Sequence, residues 1–441
     1  MSVTEVSAAR RREVIDALRR GTVPQAGLDL FAVGLERFEG ALDEELNAVA
    51  AGGAVFKAVR GEYGSGKTFF ARWLAERAKR RGFAVTEIQI SETETPLHRL
   101  ETVYRRLAER LATSSHRPSA LREVIDGWFY TLEEDVLASG VAATDTAALE
   151  QGVDELLEQR LASVARSTPT FAAALRGYRR ARLAGQADIA EGLVAWIGGQ
   201  PNVAARARHA AGIKGGLDHF GALGFLQGLL AVLRDSGHPG LLVVLDETET
   251  LQRVRGDVRE KGLNALRQLI DEVDTGRFPG LYLMITGTPA FFDGTQGVQR
   301  LAPLAQRLAT DFGDPRFDNP RAVQIRLTGF DLDKLVRLGI VIRDLYAAGA
   351  SPRIVPVVND VYIRELAEAV TGGLGGQVGI APRIFLRKLV EQVLDRVDQF
   401  EDFDPRRHYA LTLSAAELTE VERNAWTPQA ADPDDIDLDL P

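Results

Sequence analysis

The sequence predicts an α/β fold: a five-stranded parallel sheet with helices on both faces, a large helical insertion and a helical segment after the last strand. Three observations carry this expectation. Five short β-rich runs at 54–60, 83–90, 241–245, 281–285 and 323–327 alternate with helical stretches, the arrangement of a parallel sheet buried on both sides. The first run leads into the Gly-rich segment GEYGSGKT at 61–68. The third, LLVVL, ends in Asp246-Glu247.

Composition bounds the answer. The chain has 441 residues, a formal net charge of −9, 45% apolar residues and no Cys. At roughly 100–200 residues per domain this makes about two to four units with ample core. Absence of Cys excludes disulfides, thiolate metal sites and Cys nucleophiles. No run of about 18 apolar residues occurs, so no membrane span and a cytoplasmic protein are expected. The start, MSVTEVSAARRREVIDALRRG, lacks the apolar stretch of a signal peptide and reads as an amphipathic basic helix. Net acidity argues against a basic nucleic-acid coat but leaves a local basic groove for DNA open.

Residues 1–50 read as a helical segment. The core follows over 51–330. Ala54–Arg60 is its first strand, and the helix Phe69–Arg81 closes on Lys79, Arg80 and Arg81 with Gly82 just beyond, a C-terminal stop. Phe83–Ile90 (FAVTEIQI) alternates as a strand does. Thr95-Pro96 opens a helix with Leu97, Leu100, Tyr104, Leu107 and Leu111 at helical spacing. A β-α-β crossover needs about 30 residues, yet residues 91–240 separate FAVTEIQI from LLVVL. The excess, near 115–225, is a helical insertion. Its cluster Arg176, Arg179, Arg180 and Arg182 is either a solvated helix face or a patch for a phosphate backbone. Helices near 257–274 and 299–310 flank LYLMI at 281–285, and VQIRL at 323–327 is the fifth strand. Residues 331–400 are helical. Beyond 401 the chain ends in an acidic tail with Asp432, Asp434, Asp435, Asp437 and Asp439.

Gly61-Glu62-Tyr63-Gly64-Ser65-Gly66-Lys67-Thr68 matches G-x-x-x-x-G-K-[ST] in full. Glycines at these positions let the backbone wrap phosphates with its N–H groups inward. The loop runs into the helix at Phe69, whose N-terminal dipole adds positive potential. Lys67 reaches the β- and γ-phosphates, and the Thr68 hydroxyl ligates Mg²⁺. The acids after LLVVL emerge at the C-terminal edge of a buried strand, where α/β sheets bind ligands. Asp246 is then the metal-side carboxylate and Glu247 the base that deprotonates the attacking water. Glu249, two residues further along the turn, is the alternative base.

These two motifs together resemble the AAA+ branch of P-loop ATPases, over about residues 30–400 apart from the insertion. The resemblance implies ATP and Mg²⁺. It also implies a further strand between the P-loop strand and the acidic strand, which FAVTEIQI fits, and a polar sensor at the tip of LYLMI: Thr286 first, Thr288 second. Residues 331–400 would form the family's helical lid, with Arg383, in the helix opened by Ala381-Pro382-Arg383 after TGGLGGQVGI, as the arginine facing the γ-phosphate. Arg387 one turn later reads as a surface or helix-dipole residue. A neighbouring subunit's arginine completes many such sites. Arg300, Arg307, Arg316 and Arg321 are the candidates, and Arg307 in LAPLAQRLATDF resembles the position best. Upstream, Phe31-Ala32-Val33-Gly34-Leu35-Glu36-Arg37 resembles the adenine-side segment of initiator-like members, which suggests adenine contacts at Val33 and Gly34.

Several stretches resemble, more narrowly, the ATP-binding proteins of BREX-type phage-defence systems: GEYGSGKTFFARWLAERA, LLVVLDETETLQR, KGLNALRQLIDEVDTGRFPGLYLMITGTPAFFDG and QRLAPLAQRLATDF. That resemblance implies bacterial antiviral defence alongside other proteins of the system. Two readings follow. One is an Mg²⁺-dependent ATPase that self-assembles or joins partners and uses turnover to assemble or remodel a defence complex on DNA. The other is a slow nucleotide-controlled switch or scaffold. Initiator-type relatives carry a winged-helix DNA reader after the lid, and with about 40 residues after 398 that module is expected to be missing. The six His are scattered, so no structural zinc is expected. Trp73, Trp128, Trp196 and Trp426 read as core or interface residues rather than base-stacking platforms.

Overall fold

Five apolar runs become the strands β1 (Val55–Arg60), β2 (Ala84–Gln89), β3 (Leu241–Asp246), β4 (Leu281–Gly287) and β5 (Gln324–Arg326) of a single parallel sheet, in the order β2-β3-β4-β1-β5. The structure is a computed structural model and describes residues 6–373 and 381–411. Most of the TGGLGGQVGI stretch, the acidic tail and Trp426 lie outside the described residues. Every residue of β3 and β4 is buried, which is why LLVVL and LYLMI are unbroken apolar runs rather than alternating ones. Register aligns the strand ends: Arg60 faces Gly287, and Gln89 faces Asp246. All the C-terminal tips of β1 to β4 therefore share one edge of the sheet.

In chain order the helices begin with α1 (Ala8–Arg19), α2 (Glu36–Ala50), α3 (Lys67–Arg80) and α4 (Leu100–Arg110). The insertion supplies α5 (Leu121–Ala138), α6 (Thr146–Ser167), α7 (Pro169–Leu183), α8 (Ala187–Ile197), α9 (Ala205–Ala210) and α10 (His219–Asp235). After β3 come α11 (Gly256–Asp274), α12 (Pro289–Asp293) and α13 (Ala302–Arg307). After β5 come α14 (Leu332–Ala347), α15 (Ile354–Val357), α16 (Asp360–Gly373), α17 (Ala381–Arg387), a π-helical turn Lys388–Leu394, α18 (Asp395–Gln399) and α19 (Pro405–His408). Among the described residues no helix is long and apolar enough to cross a membrane.

Contacts divide the chain into two units. One takes the described residues of Met1–Arg37, Gly61–Trp73 and Arg326–Pro441, and the other takes Phe38–Arg60 and Leu74–Ile325. The second holds the sheet and the insertion in one continuous core, in which Ala84, Ile88, Val243 and Leu283 join Trp128, Phe171, Tyr178, Trp196 and Phe225. Trp128, at 1% exposure, also donates its indole N–H to Asp235 at 2.7 Å. Lys57, at 1% exposure, is a charge inside this core. Lys57 of β1 pairs with Glu45 of α2 at 2.5 Å and donates to the Ala322 carbonyl at 2.7 Å. Tyr282 of β4 donates to the same carboxylate. A buried ammonium so fully satisfied ties α2, β1, β4 and the lead-in to β5 together. The other unit buries Val14 and Leu18 of α1 and, from the helices after β5, Leu335, Ile342, Ile363, Phe385 and Leu389.

Three expectations are corrected. FAVTEIQI stands between the two motif strands in chain order only; in space β4 separates β1 from β3, and β2 is the edge strand beyond β3. The helix expected at Thr95-Pro96 starts at Leu100, because Ser91 Oγ accepts the N–H groups of Glu94 and Thr95 and holds that stretch as a turn. The helix expected over 299–310 is a 3₁₀ turn at Val298–Arg300 followed by the six-residue α13; Gln324 donates to the Leu308 carbonyl at 2.7 Å and ends it there. Thr286 is the next-to-last residue of β4, at its C-terminal tip. In the insertion, Arg176 pairs with Glu158 and Arg179 with Asp154, while Arg180 and Arg182 are exposed.

Candidate functional site

The loop that follows β1 is built for close backbone approach. Gly64 and Gly66 take φ of 78° and 92°, the left-handed region that costs an L side chain about 1–2 kcal/mol. A Cβ on Gly61 would sit 2.2 Å from Ser65 Oγ and 3.2 Å from Ser65 Cβ, so a larger residue there would force Ser65 to move. Ser65 Oγ is itself buried with no hydrogen-bond partner. α3 begins at Lys67, whose ammonium, on a side chain held at 8% exposure, donates to the carbonyls of Gly61 at 2.8 Å and Glu62 at 3.2 Å. It also lies 5.2 Å from the Tyr63 ring centroid. A glycine-lined cradle, an orphaned hydroxyl, a buried cation and a helix N-terminus fit a polyphosphate chain.

The entry segment meets this helix. The Phe31 ring lies 5.1 Å from that of Phe69, and Val33 N–H donates to the Phe31 carbonyl at 2.9 Å. Gly34 adopts φ 86°, with Lys334 Cδ 3.5 Å from the point a Cβ would occupy. Phe31 thus meets α3 at Phe69, while Val33 bonds back to Phe31 and Gly34 faces Lys334. Arg383, in the same unit, lies beside the end of α1: its Nη1 is 3.5 Å from where a Cβ of Gly21 would be.

At the tips of β3 and β4, Asp246, Glu247 and Thr286 come together. Asp246, 5% exposed, accepts the Thr286 hydroxyl on Oδ1 and the Glu247 N–H at 3.1 Å. Glu247 N–H also reaches Thr286 Oγ1 at 3.2 Å, and Thr248 donates to the Thr286 carbonyl at 2.6 Å. Glu247 adopts φ 60° and ψ 42°, a left-handed conformation rare for a residue with a side chain. Its carboxylate, half-buried, accepts Gln89 Nε2 at 2.9 Å. Glu249 is buried in the 3₁₀ turn Thr248–Gln252. Thr288 instead caps α12, accepting the Phe291 N–H. Among the described residues no group of three or more acidic or His side chains forms a metal cage. Mg²⁺ seldom needs one, since it keeps several waters and takes few protein oxygens.

The candidate arginines differ in their partners. Arg307 pairs with Asp271 of α11, Arg316 with Asp314, and Arg321 with Glu44 at 2.6 Å. Arg300 is exposed on its 3₁₀ turn. Two residues here escaped sequence reasoning. Gln89 is the last residue of an alternating strand, and only its register opposite Asp246 brings it to Glu247. Arg60, at the end of β1, bridges Asp293 and Gln324 (3.1 Å) with its guanidinium 4.8 Å from the Phe312 ring. An arginine directly before a Gly-rich loop was its only signal.

A family model described as BREX system ATP-binding protein BrxC/D matches residues 6–413 of the chain. No curated protein matches it.

Proposed function

The chain belongs to the family of BREX system ATP-binding proteins BrxC/D, and from that premise we propose that this phage-defence ATP-binding protein hydrolyses ATP with Mg²⁺ in the cytoplasm. Turnover would drive assembly or remodelling of a defence complex with other proteins of the system and further copies of itself, with DNA as the platform. Residues 51–330 would be the catalytic core, 331–400 the lid, 1–50 the adenine-side segment and 401–441 an extension.

Each residue then has a task. The N–H groups of Gly61–Thr68 bind phosphate oxygens, and Lys67 exchanges its two carbonyl partners for the β- and γ-phosphates. The Thr68 hydroxyl and the Asp246 carboxylate would hold Mg²⁺ as hard oxygen donors. Mg²⁺, when bound, neutralises charge on the β- and γ-phosphate oxygens. Glu247 orients water and takes its proton. Thr286 fixes the Asp246–Glu247 turn, and Arg383 faces the γ-phosphate.

The observation that carries hydrolysis is Glu247. Left-handed backbone at a non-glycine residue costs on the order of 1–3 kcal/mol, and such strain clusters where a side chain must be aimed. That strain supports a Glu247 side chain aimed at a reacting water. The bond from Gln89 to that carboxylate favours a second reading, a switch with slow turnover until a partner frees Glu247. ATPase rates with and without Mg²⁺ and duplex DNA, with mass measured in the same buffers, separate the two. Turnover that needs Mg²⁺ supports the first reading, and rates at background in every condition would overturn it.

A further inference from the structure

α1 ends in a glycine-capped turn. Gly21 N–H donates to the Leu18 carbonyl at 2.9 Å and Thr22 N–H to the Ala17 carbonyl at 3.0 Å, the bond pair of a Schellman motif. Gly21 takes φ +68°, and a Cβ there would lie 3.3 Å from Arg387 Cδ as well as 3.5 Å from Arg383 Nη1. Just before it, Arg19 grips Asp395 with both prongs of its guanidinium, Nε to Oδ2 at 2.7 Å and Nη2 to Oδ1 at 2.9 Å. The Tyr346 hydroxyl donates to the same Oδ1 at 2.8 Å. Burial and the Asp395 carboxylate push that hydroxyl above its ordinary value, so it stays a donor at physiological pH. Planar two-pronged pairs of this kind fix orientation as well as distance.

α1 thus packs along the chain after residue 380, at Arg383–Arg387, on the π-helical turn Lys388–Leu394 itself and at Asp395 beyond it. A π turn takes extra residues per turn and shifts the phase of the helix faces on either side, and such turns recur at functional sites. An outside contact on both sides of such a step is a reference that fixes the direction of both halves. We infer that the last turn of α1 is that reference. Arg19, clamped to Asp395, and Gly21, packed against Arg387 and Arg383, are positioning residues that set where the Arg383 guanidinium points. The inference rests on the proposed reading of Arg383 as the γ-phosphate arginine.

Affinities of the full chain for ADP and for a non-hydrolysable ATP analogue test it, with melting temperatures taken for each variant. Arg383→Ala should weaken the analogue about tenfold or more and leave ADP within roughly twofold, because only ATP carries the γ-phosphate. Asp395→Asn and Gly21→Ala should each lower the same ratio in the same direction, by about three- to tenfold. Gly21→Ala keeps the measurement available if Asp395→Asn does not fold. If Arg383→Ala changes the ratio while both other variants keep the wild-type one, the positioning inference falls and the reading of Arg383 stands. If both nucleotides weaken equally as the melting temperature drops, α1 is only a structural brace and the inference falls. If Arg383→Ala itself leaves the ratio unchanged, the reading of Arg383 fails and takes the inference with it.

Discussion

Thr286 donates its hydroxyl proton to Asp246 Oδ1, while its oxygen receives the Glu247 N–H at 3.2 Å. One buried hydroxyl on β4 therefore serves both acids at the tip of β3. Thr286→Val keeps the shape and removes both bonds. It should cost about 1–3 kcal/mol of stability, the usual penalty for stranding a buried polar group, and lower kcat more than nucleotide affinity. Thr286→Ser should recover most of both. Denaturant midpoints and turnover check this, and a wild-type kcat in the valine variant would remove Thr286 from the catalytic arrangement.

Glu247→Gln should hold ATP yet turn it over slowly, because an amide cannot accept the water's proton. ATP-dependent assemblies should accumulate in this variant. The bond from Gln89 at 2.9 Å makes a companion prediction. Gln89→Ala releases the carboxylate, so basal turnover should rise if that bond holds Glu247 idle. Near-normal turnover in Glu247→Gln would move the base elsewhere, with Glu249 the first place to look.

Lys67→Ala removes the cation facing the phosphates, so the melting shift produced by ATP should vanish. In the absence of nucleotide the variant should melt close to wild type, since Lys67 donates to the Gly61 and Glu62 carbonyls within its own loop. An ATP-induced shift equal to that of wild type would overturn the P-loop assignment.

Much of this was legible because it is local. The phosphate loop is read from spacing alone, and Gly82 ends α3 with φ +85° where the sequence put its stop. β3 and β4 are legible because burial on both faces demands unbroken apolar runs. What the sequence hid is set by distance along the chain. That β4 lies between β1 and β3 depends on how crossovers wind, and no residue in FAVTEIQI or LYLMI encodes it. The bond between Gln89 and Glu247 depends on register. The shortness of α13 depends on Gln324 of β5, which reaches back to cap Leu308. Thr286 and Asp246 could be paired in advance only through the family resemblance.

Asp43 accepts Arg77 Nε and Nη2 at 2.6 Å each, joining α2 to α3. The hydrogen bond from Arg77 holds its carboxyl below the ordinary 3.8. A depressed folded-state value means the pair stabilises fully above the unfolded value and loses that contribution as pH falls through the folded one. Asp43→Asn should therefore melt lower than wild type at neutral pH. The gap should close as pH drops below 3.8. Melting curves across that range check it, and a gap independent of pH would show that the contact acts through packing rather than charge.

Arg307 pairs with Asp271 in its own chain, so serving a neighbour's site means leaving that partner. Half-exposed ion pairs are worth only about 0–1 kcal/mol, which a γ-phosphate can outbid. Arg307→Ala should then bind ATP normally and hydrolyse it poorly. Mixing it with Lys67→Ala should restore activity, because one subunit brings an intact phosphate loop and its neighbour an intact Arg307. Arginine fingers are worth about 10³–10⁵ in rate where measured, so even a small share of mixed sites should be visible. Rescue depends on assembly and should grow with protein concentration. If Arg307→Ala turns over like wild type, Arg300 is the next candidate: it is exposed, whereas Arg316 and Arg321 are paired with Asp314 and Glu44. The same mixing experiment with Arg300→Ala then decides whether any arginine of this segment acts across subunits.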